Sequence, residues 1–328
     1  MVLKNTQIME KAVYLGEIGR MKPARYLRLL TMLLFLSGSV ALAQNKYIPP
    51  DPYTHWDGVS HWSEYMVLSP AYMGPNALPV PYVRDGLVPS SFNWSGLYEY
   101  AYGQGDLTHD FTTNLLLPLA GGRVGLELIY TPVEFFSMDS TVSRQRRTFS
   151  GEAAENFSLG DVYFGTIVQL IREHRFLPDL TFSMACKTAS GTGREYSRHT
   201  DTPGYYLDLA AGRSFGTGRR YLEHVRVYGM AGFYVWQTYL DNYPQNDALL
   251  YGLGVNFVFR DFSLEQSLRG YSGYMANGDH PLVYRAELGI RSGDARFVIG
   301  YERGLRDYPF QGIRTGIVIK PTGITRAP

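Results

Sequence analysis

The sequence predicts an all-β transmembrane antiparallel β-barrel of about 12 strands, preceded by an irregular segment rich in proline and aromatic residues. Three observations lead there. An export signal stands near the start, a dozen stretches alternate apolar with polar side chains, and the joins between them alternate between short and long.

The export signal comes first. Met21 to Gln44 begins with a basic head (Lys22, Arg25, Arg28), continues through the apolar run Leu29 to Leu36, and ends in Ala41-Leu42-Ala43, a small-residue cleavage site. This is the form of a secretory signal peptide cut before Gln44. The apolar stretch is shorter than the ~20 residues a helix needs to cross a bilayer. Residues 1–20 precede the signal and read as an upstream start-site extension, with Met21 the initiator, so the signal occupies 21–43.

Composition narrows the class. Of 328 residues 45% are hydrophobic and 19% charged, too apolar for a disordered chain and without the basic excess of a nucleic-acid binder. Glycine (35 residues) and aromatics (14%) are abundant together, which suits strands joined by tight corners. The single cysteine, Cys186, excludes an intrachain disulfide framework. After the signal no run of 18 apolar residues occurs, so a spanning structure must be a closed barrel, because hydrocarbon cannot satisfy loose backbone groups.

Residues 44–92 carry proline at a density that opposes helix and central strand. The segment is expected to plug a lumen or pack at one mouth. The barrel proper is expected over 93–328. Its strands are read at 94–103, 109–118, 123–135, 158–171, 178–187, 204–215, 222–237, 247–259, 262–271, 282–291, 295–303 and 310–320. In 282–291, for example, Leu282, Tyr284, Ala286, Leu288 and Ile290 share one face, while Val283, Arg285, Glu287, Gly289 and Arg291 share the other. Period 2 over such a length is a strand. A strand of a soluble sandwich has about 5–6 residues and a tilted membrane strand roughly 9–11, so length favours the membrane. Short turns alternating with longer loops are the layout of outer-membrane barrels.

With the apolar face toward lipid, the inward face collects Glu99, Glu127, Asp161, Asp208, Glu265, Glu287 and Glu302 with Lys187, Arg226, Arg269, Arg285, Arg291, Arg296 and Arg314. An Arg or Lys on the lipid face costs ~2–4 kcal/mol near the midplane, so these groups belong to a polar lumen or solute path. The two signs balance, which argues against strong ion selectivity. Gln266 falls on the outward face against this pattern. Tyrosines near strand ends (Tyr98, Tyr100, Tyr102, Tyr130, Tyr205, Tyr239, Tyr251, Tyr271, Tyr284, Tyr301) are expected to form interface girdles.

Gly160-Asp161-Val162-Tyr163-Phe164-Gly165, Leu177-Pro178-Asp179-Leu180, Lys187-Thr188-Ala189-Ser190-Gly191-Thr192-Gly193 and Asp201-Thr202-Pro203-Gly204-Tyr205 resemble outer-membrane barrels grouped as meta-pathway phenol-degradation-type transporters. The likeness covers residues 158–216. It implies a barrel and the uptake of small, hydrophobic compounds, and it carries over no catalytic residue. The Pro that commonly precedes Thr-Gly in that family is absent here.

Other chemistry was sought at the barrel rim. His199 with Asp201 and Glu195, or Asp279 with His280, could activate water, and Ser190 with His199 could attempt ester hydrolysis. The His-x-Ser-Asn-Gly pattern of outer-membrane phospholipases is missing, so solvated polar loops are the simpler reading. Arg144, Arg146, Arg147, Arg194 and Arg198 form two basic loops that could grip lipopolysaccharide phosphates. No metal spacing and no cofactor motif stands out. Cys186 alternates with Met184 and Phe182 and is expected to face lipid.

The sequence therefore predicts an outer-membrane barrel of a Gram-negative bacterium, contacting membrane lipid and acting as a passive channel or transporter for small solutes. The alternatives are a structural or assembly barrel with a plugged lumen and, third, a rim hydrolase. Neither solute nor oligomeric state is legible.

Overall fold

The computed structural model of the protein describes residues 56–172 and 174–320. The signal segment, residues 44–55 and the tail after 320 lie outside the described residues.

Thirteen strands form one antiparallel sheet: β1 (Asn93–Gly103), β2 (Asp106–Leu119), β3 (Val124–Met138), β4 (Ala154–Ser158), β5 (Val162–Ile171), β6 (Asp179–Lys187), β7 (Gly204–Gly216), β8 (Leu222–Leu240), β9 (Tyr243–Phe259), β10 (Phe262–Ser272), β11 (Leu282–Ser292), β12 (Ala295–Arg306) and β13 (Gln311–Ile319). Each strand pairs with its sequence neighbour, except that β5 pairs with β3 rather than with β4, and β1 pairs with β13 from Trp94↔Ile319 to Tyr102↔Gln311. The sheet thus closes on itself as a twelve-stranded barrel, with the short β4 as an extra strand. Closure leaves no edge between β1 and β13, as a membrane barrel requires.

The expected strands all form, with local corrections. The fourth is interrupted: β4 pairs with the upper part of β3 and β5 with the lower part, separated by Leu159–Asp161. At the break the Gly160 amide donates to the Thr131 carbonyl, so close that a Cβ on Gly160 would sit 2.8 Å from Thr131 Cβ. The β8–β9 hairpin extends to Leu240↔Tyr243, beyond the alternating pattern, through an irregularity after Gln237. The β1–β2 turn is tight: Gln104 and Gly105 both have positive φ (48° and 85°), the geometry that a two-residue hairpin demands.

The turns joining β2–β3, β5–β6, β7–β8, β9–β10 and β11–β12 lie at one end with both barrel termini. The opposite end carries the longer loops, including the short helix α1 (Ser140–Gln145), capped by the Asp139 carboxylate accepting from the Val142 amide. Large apolar residues stand exposed on the outside, among them Phe164, Phe182, Leu209, Phe233, Leu253, Phe297 and Ile313. On the same outer face, Cys186 borders an apolar groove with Leu117, Leu128, Phe164 and Met184. Gln266 on this face accepts a hydrogen bond from the Tyr284 hydroxyl at 3.1 Å, so its amide is not left bare.

The main hydrophobic core lies inside the barrel. Trp62, Met66, Leu68, Met73, Ala77, Leu78 and Val80, all from the segment before β1, pack against Tyr163, Ala185, Tyr206, Ala210, Met230, Tyr234, Trp236, Ala248, Leu250, Tyr271 and Val283 of the wall. The inward alanines make the room. Gly252 does the same at one point, where a Cβ would come 2.6 Å from Val83 Cγ2. Tyr271 is therefore not a girdle residue: it is fully buried in the lumen and its hydroxyl donates to the Leu78 carbonyl at 2.9 Å. Tyr98, Tyr205, Tyr239, Tyr251 and Tyr301 remain exposed.

Candidate functional site

Residues 56–92 run the length of the lumen as an irregular chain. At the long-loop end Trp56 packs on Phe149, Trp62 lies against Tyr239, and the Gly74 amide donates to the Ser197 carbonyl. At the short-turn end the Val88 amide donates to Gln169 Oε1, and Val88 packs on Leu116 and Ile167. Proline suits such a route, because a strap that pairs with no strand needs no regular pattern of amide donors. Six of its large apolar residues (Trp62, Met66, Leu68, Met73, Leu78, Val88) are each under 5% exposed. At roughly 1.5–3 kcal/mol each, their burial contributes on the order of 10 kcal/mol. Wholesale ejection by thermal motion is therefore negligible.

Polar ties join the strap to the wall. Asn76 Nδ2 donates to Asp110 (2.8 Å) and Glu134 (2.6 Å), and Arg84 donates to Glu127 at 2.7 Å. Arg226 donates to the Asp85 carbonyl and ion-pairs with Asp179 at 3.0 Å. The Tyr82 ring lies beneath three guanidiniums, Arg269, Arg285 and Arg314, at 4.2, 4.6 and 5.1 Å from its centroid, and Arg314 also donates to its hydroxyl at 2.8 Å.

Most of the inward charges expected from the sequence are spent on one another or on the strap. Arg269 pairs with Glu302 at 2.6 Å, Arg314 with Glu99 and Glu287, and both Arg285 and Arg296 with Glu287. Lys187 pairs with Asp161 at 2.6 Å, Asp208 accepts from Ser183, and Glu265 accepts from the Tyr228 hydroxyl. Arg291 differs: it is exposed at the short-turn end, where its amide donates to the Asp261 carbonyl.

The loop arginines divide. Arg198 and Arg146 are buried, both bound to Asp106; Arg198 also reaches Thr108 and lies 3.0 Å from Glu134. Neither can therefore grip lipopolysaccharide, because the loop between β6 and β7 folds inward over the lumen. Arg144 is exposed, Arg147 lies over the Tyr72 ring, and Arg194 pairs with Asp201 over Trp62. The candidate pair of His199 with Asp201 is accordingly not assembled. His199 is buried, 3.6 Å from Asp161 and 3.8 Å from Glu134. Asp279 is fully buried and accepts from Asn246 and the Met275 amide, with His280 at 3.7 Å and bonded to Ser272. Ser190 bonds to Thr188 and accepts from the Val162 amide. Among the described residues no three His, Cys, Asp or Glu side chains gather as a metal would require.

Three cavities follow the strap. One of about 360 Å³ at the short-turn end is lined by Arg84, Asp85, Asn114, Asn256, Glu265, Arg296 and Lys320. It shares Tyr82, Ile129 and Tyr206 with a central cavity of about 110 Å³. The central one shares Pro75, Asn76, Glu99, Glu302 and Tyr308 with a third, of about 30 Å³, toward the long-loop end. The alternating pattern points to the wall charges but gives no sign of Asn76, Tyr82 and Arg84 on the strap or of Glu134 and Tyr234 on the wall. The available signal was the set of small inward residues, Ala185, Ala210, Ala248 and Gly252, which leaves space for an occupant.

No protein-family model matches the sequence, and no curated protein matches it. Among solved structures the chain is similar to the COG4313 outer membrane channel from Pseudomonas putida F1, with a TM-score of 0.51 and 13% identity over 73% of this chain and 98% of that one. Other similar structures are the NanC porin (TM-score 0.45, 10% identity, 70% and 100% covered) and the KdgM porin (0.41, 10%, 69% and 99%). At these identities the likeness is one of fold: the chain has the architecture of a closed antiparallel β-barrel.

Proposed function

We propose that the protein is a narrow outer-membrane channel that passes small solutes between its own N-terminal strap and the barrel wall. The observation that carries this reading is the succession of three cavities along the strap, adjacent ones sharing lining residues. The short-turn end then faces the periplasm and the long loops face outward, as in barrels of this kind. Residues 21–43 direct export, and the outer apolar surface meets lipid. Because the strap is held by its buried core, traffic passes beside it. The third cavity has room for only about two waters, so it sets the limit at rest. Balanced wall charges make the path weakly selective for ion sign. Arg144, exposed on its loop, keeps the chemistry for a lipopolysaccharide phosphate.

The test is single-channel recording in planar bilayers together with swelling of liposomes in small sugars. A small, steady conductance supports the channel. A barrel that is electrically silent and impermeable favours the second reading, a structural barrel closed by its strap, for which the buried strap core is the supporting observation.

A further inference from the structure

The geometry points to a solute-binding chamber half-way along the lumen, built for an uncharged, polyhydroxylated solute of roughly four to eight non-hydrogen atoms. This deepens the channel reading and rests on it for the solute's route, though not for binding itself.

The chamber is the central cavity of about 110 Å³, enclosed by the strap at Asn76 and Tyr82 and by the wall at Tyr163, Tyr234, His199 and Arg269. Burying a polar group without a partner costs about 1–3 kcal/mol, so such groups are rare and rarely gather in one place. Here they do. Nε and Nη1 of Arg269 make no hydrogen bond, the Tyr163 and Tyr234 hydroxyls have only each other, and the His199 ring nitrogens stand 3.6 Å from Asp161 and 3.8 Å from Glu134. Each of these side chains belongs to a residue at least nine-tenths buried, and all four residues line this one cavity. Hydroxyls donate and accept, a neutral imidazole does one at each nitrogen, and the guanidinium donates. The complementary occupant offers several donors and acceptors at once.

Charge decides against an ion. The carboxylates and the guanidinium that line the cavity are already matched: Arg269 with Glu302, Asp161 with Lys187, and Glu99 with Arg314. An incoming ammonium or carboxylate loses its hydration and finds no free counter-charge, a cost of several kcal/mol. A neutral polyol has no such cost, and its C–H faces can lie on the tyrosine rings that supply much of the lining. Water meets the hydrogen-bonding demand too. A vicinal polyol replaces several waters with one molecule, so fewer particles are immobilised.

Saturation-transfer NMR with the full-length protein in nanodiscs tests the assignment, using three four-carbon probes of eight or nine non-hydrogen atoms: erythritol, erythronate and 4-amino-1,2,3-butanetriol. Erythritol is expected to bind and the two charged probes at least tenfold more weakly. Tyr234→Phe, which keeps the ring against Trp236 and Tyr271, is expected to weaken erythritol about three- to tenfold. Tyr98→Phe, outside the chamber, is expected to leave it unchanged. Preference for a charged probe, or no binding by any probe, so that water alone fills the chamber, overturns the proposal. So does indifference to Tyr234→Phe. Erythritol binding without flux leaves the chamber standing and removes the channel; flux without binding does the reverse.

Discussion

Arg84 of the strap donates to Glu127 of β3 at 2.7 Å, which ties a loose-looking proline-rich chain to the barrel wall by a pair with little exposure on either side. The same guanidinium lies 3.7 Å from Asp208 of β7, so one strap residue bridges two well-separated strands. An ion pair of this kind matters less for net stability than for register, because its attraction is offset by desolvation. Breaking one side is the costly event.

Arg84→Ala leaves the carboxylates of Glu127 and Asp208 buried without their cation. The expected loss is about 3–5 kcal/mol of unfolding free energy, read from urea titrations in detergent. Conductance is expected to rise in the same variant, because the strap loses its central tie.

Tyr82→Ala removes the ring under Arg269, Arg285 and Arg314 and joins the central cavity more widely to the one at the short-turn end. Single-channel conductance is expected to increase severalfold. The reversal potential in a salt gradient is expected to stay near that of the parent, since Glu99, Glu287 and Glu302 still neutralise the three arginines.

Gly86 holds a φ of +82°, and a Cβ there would meet the Gly212 amide nitrogen at 2.8 Å and the Asp179 carbonyl oxygen at 2.9 Å. Gly86→Ala adds this backbone clash to the left-handed strain of about 1 kcal/mol. Gly218→Ala has φ +63° but nothing within 4 Å, so it bears the strain alone. Thermal unfolding of the two variants is expected to place Gly86→Ala clearly lower.

The lipid face has its own check. Leu209 of β7 is exposed on the outside, next to the inward Asp208. Leu209→Arg is expected to cost ~2–4 kcal/mol if the residue sits near the bilayer midplane. Leu209→Met is expected to cost little. Urea unfolding in liposomes reads both.

The strands were legible because their signal is local: alternation along 282–291 needs no knowledge of neighbours, and it sets Arg285 and Glu287, which pair with one another, on one face. Which acid meets which base was not, since Arg314 reaches Glu99 only through the closing β1–β13 register. Arg198 misled for a related reason: a polar loop reads as solvated, whereas this one folds over the lumen to meet Asp106 and Glu134. Tyr271 was read as a girdle residue because strand ends attract tyrosine on either face, and only the packed strap makes its inward side apolar. The strap carries no periodicity at all. Its apolar side chains required burial, but nothing in their spacing says against which wall.

The most direct measurement of the strap's place is a cross-link. A Cβ at position 252 would lie 2.6 Å from Val83 Cγ2, close to the geometry of a thiol facing its disulfide partner. With Cys186→Ser removing the native thiol, Val83→Cys together with Gly252→Cys is predicted to oxidise to an intramolecular disulfide in the folded, membrane-inserted protein, seen as a reducible shift in gel mobility. Two free thiols that persist under oxidant in a heat-modifiable barrel would contradict a strap running inside the wall.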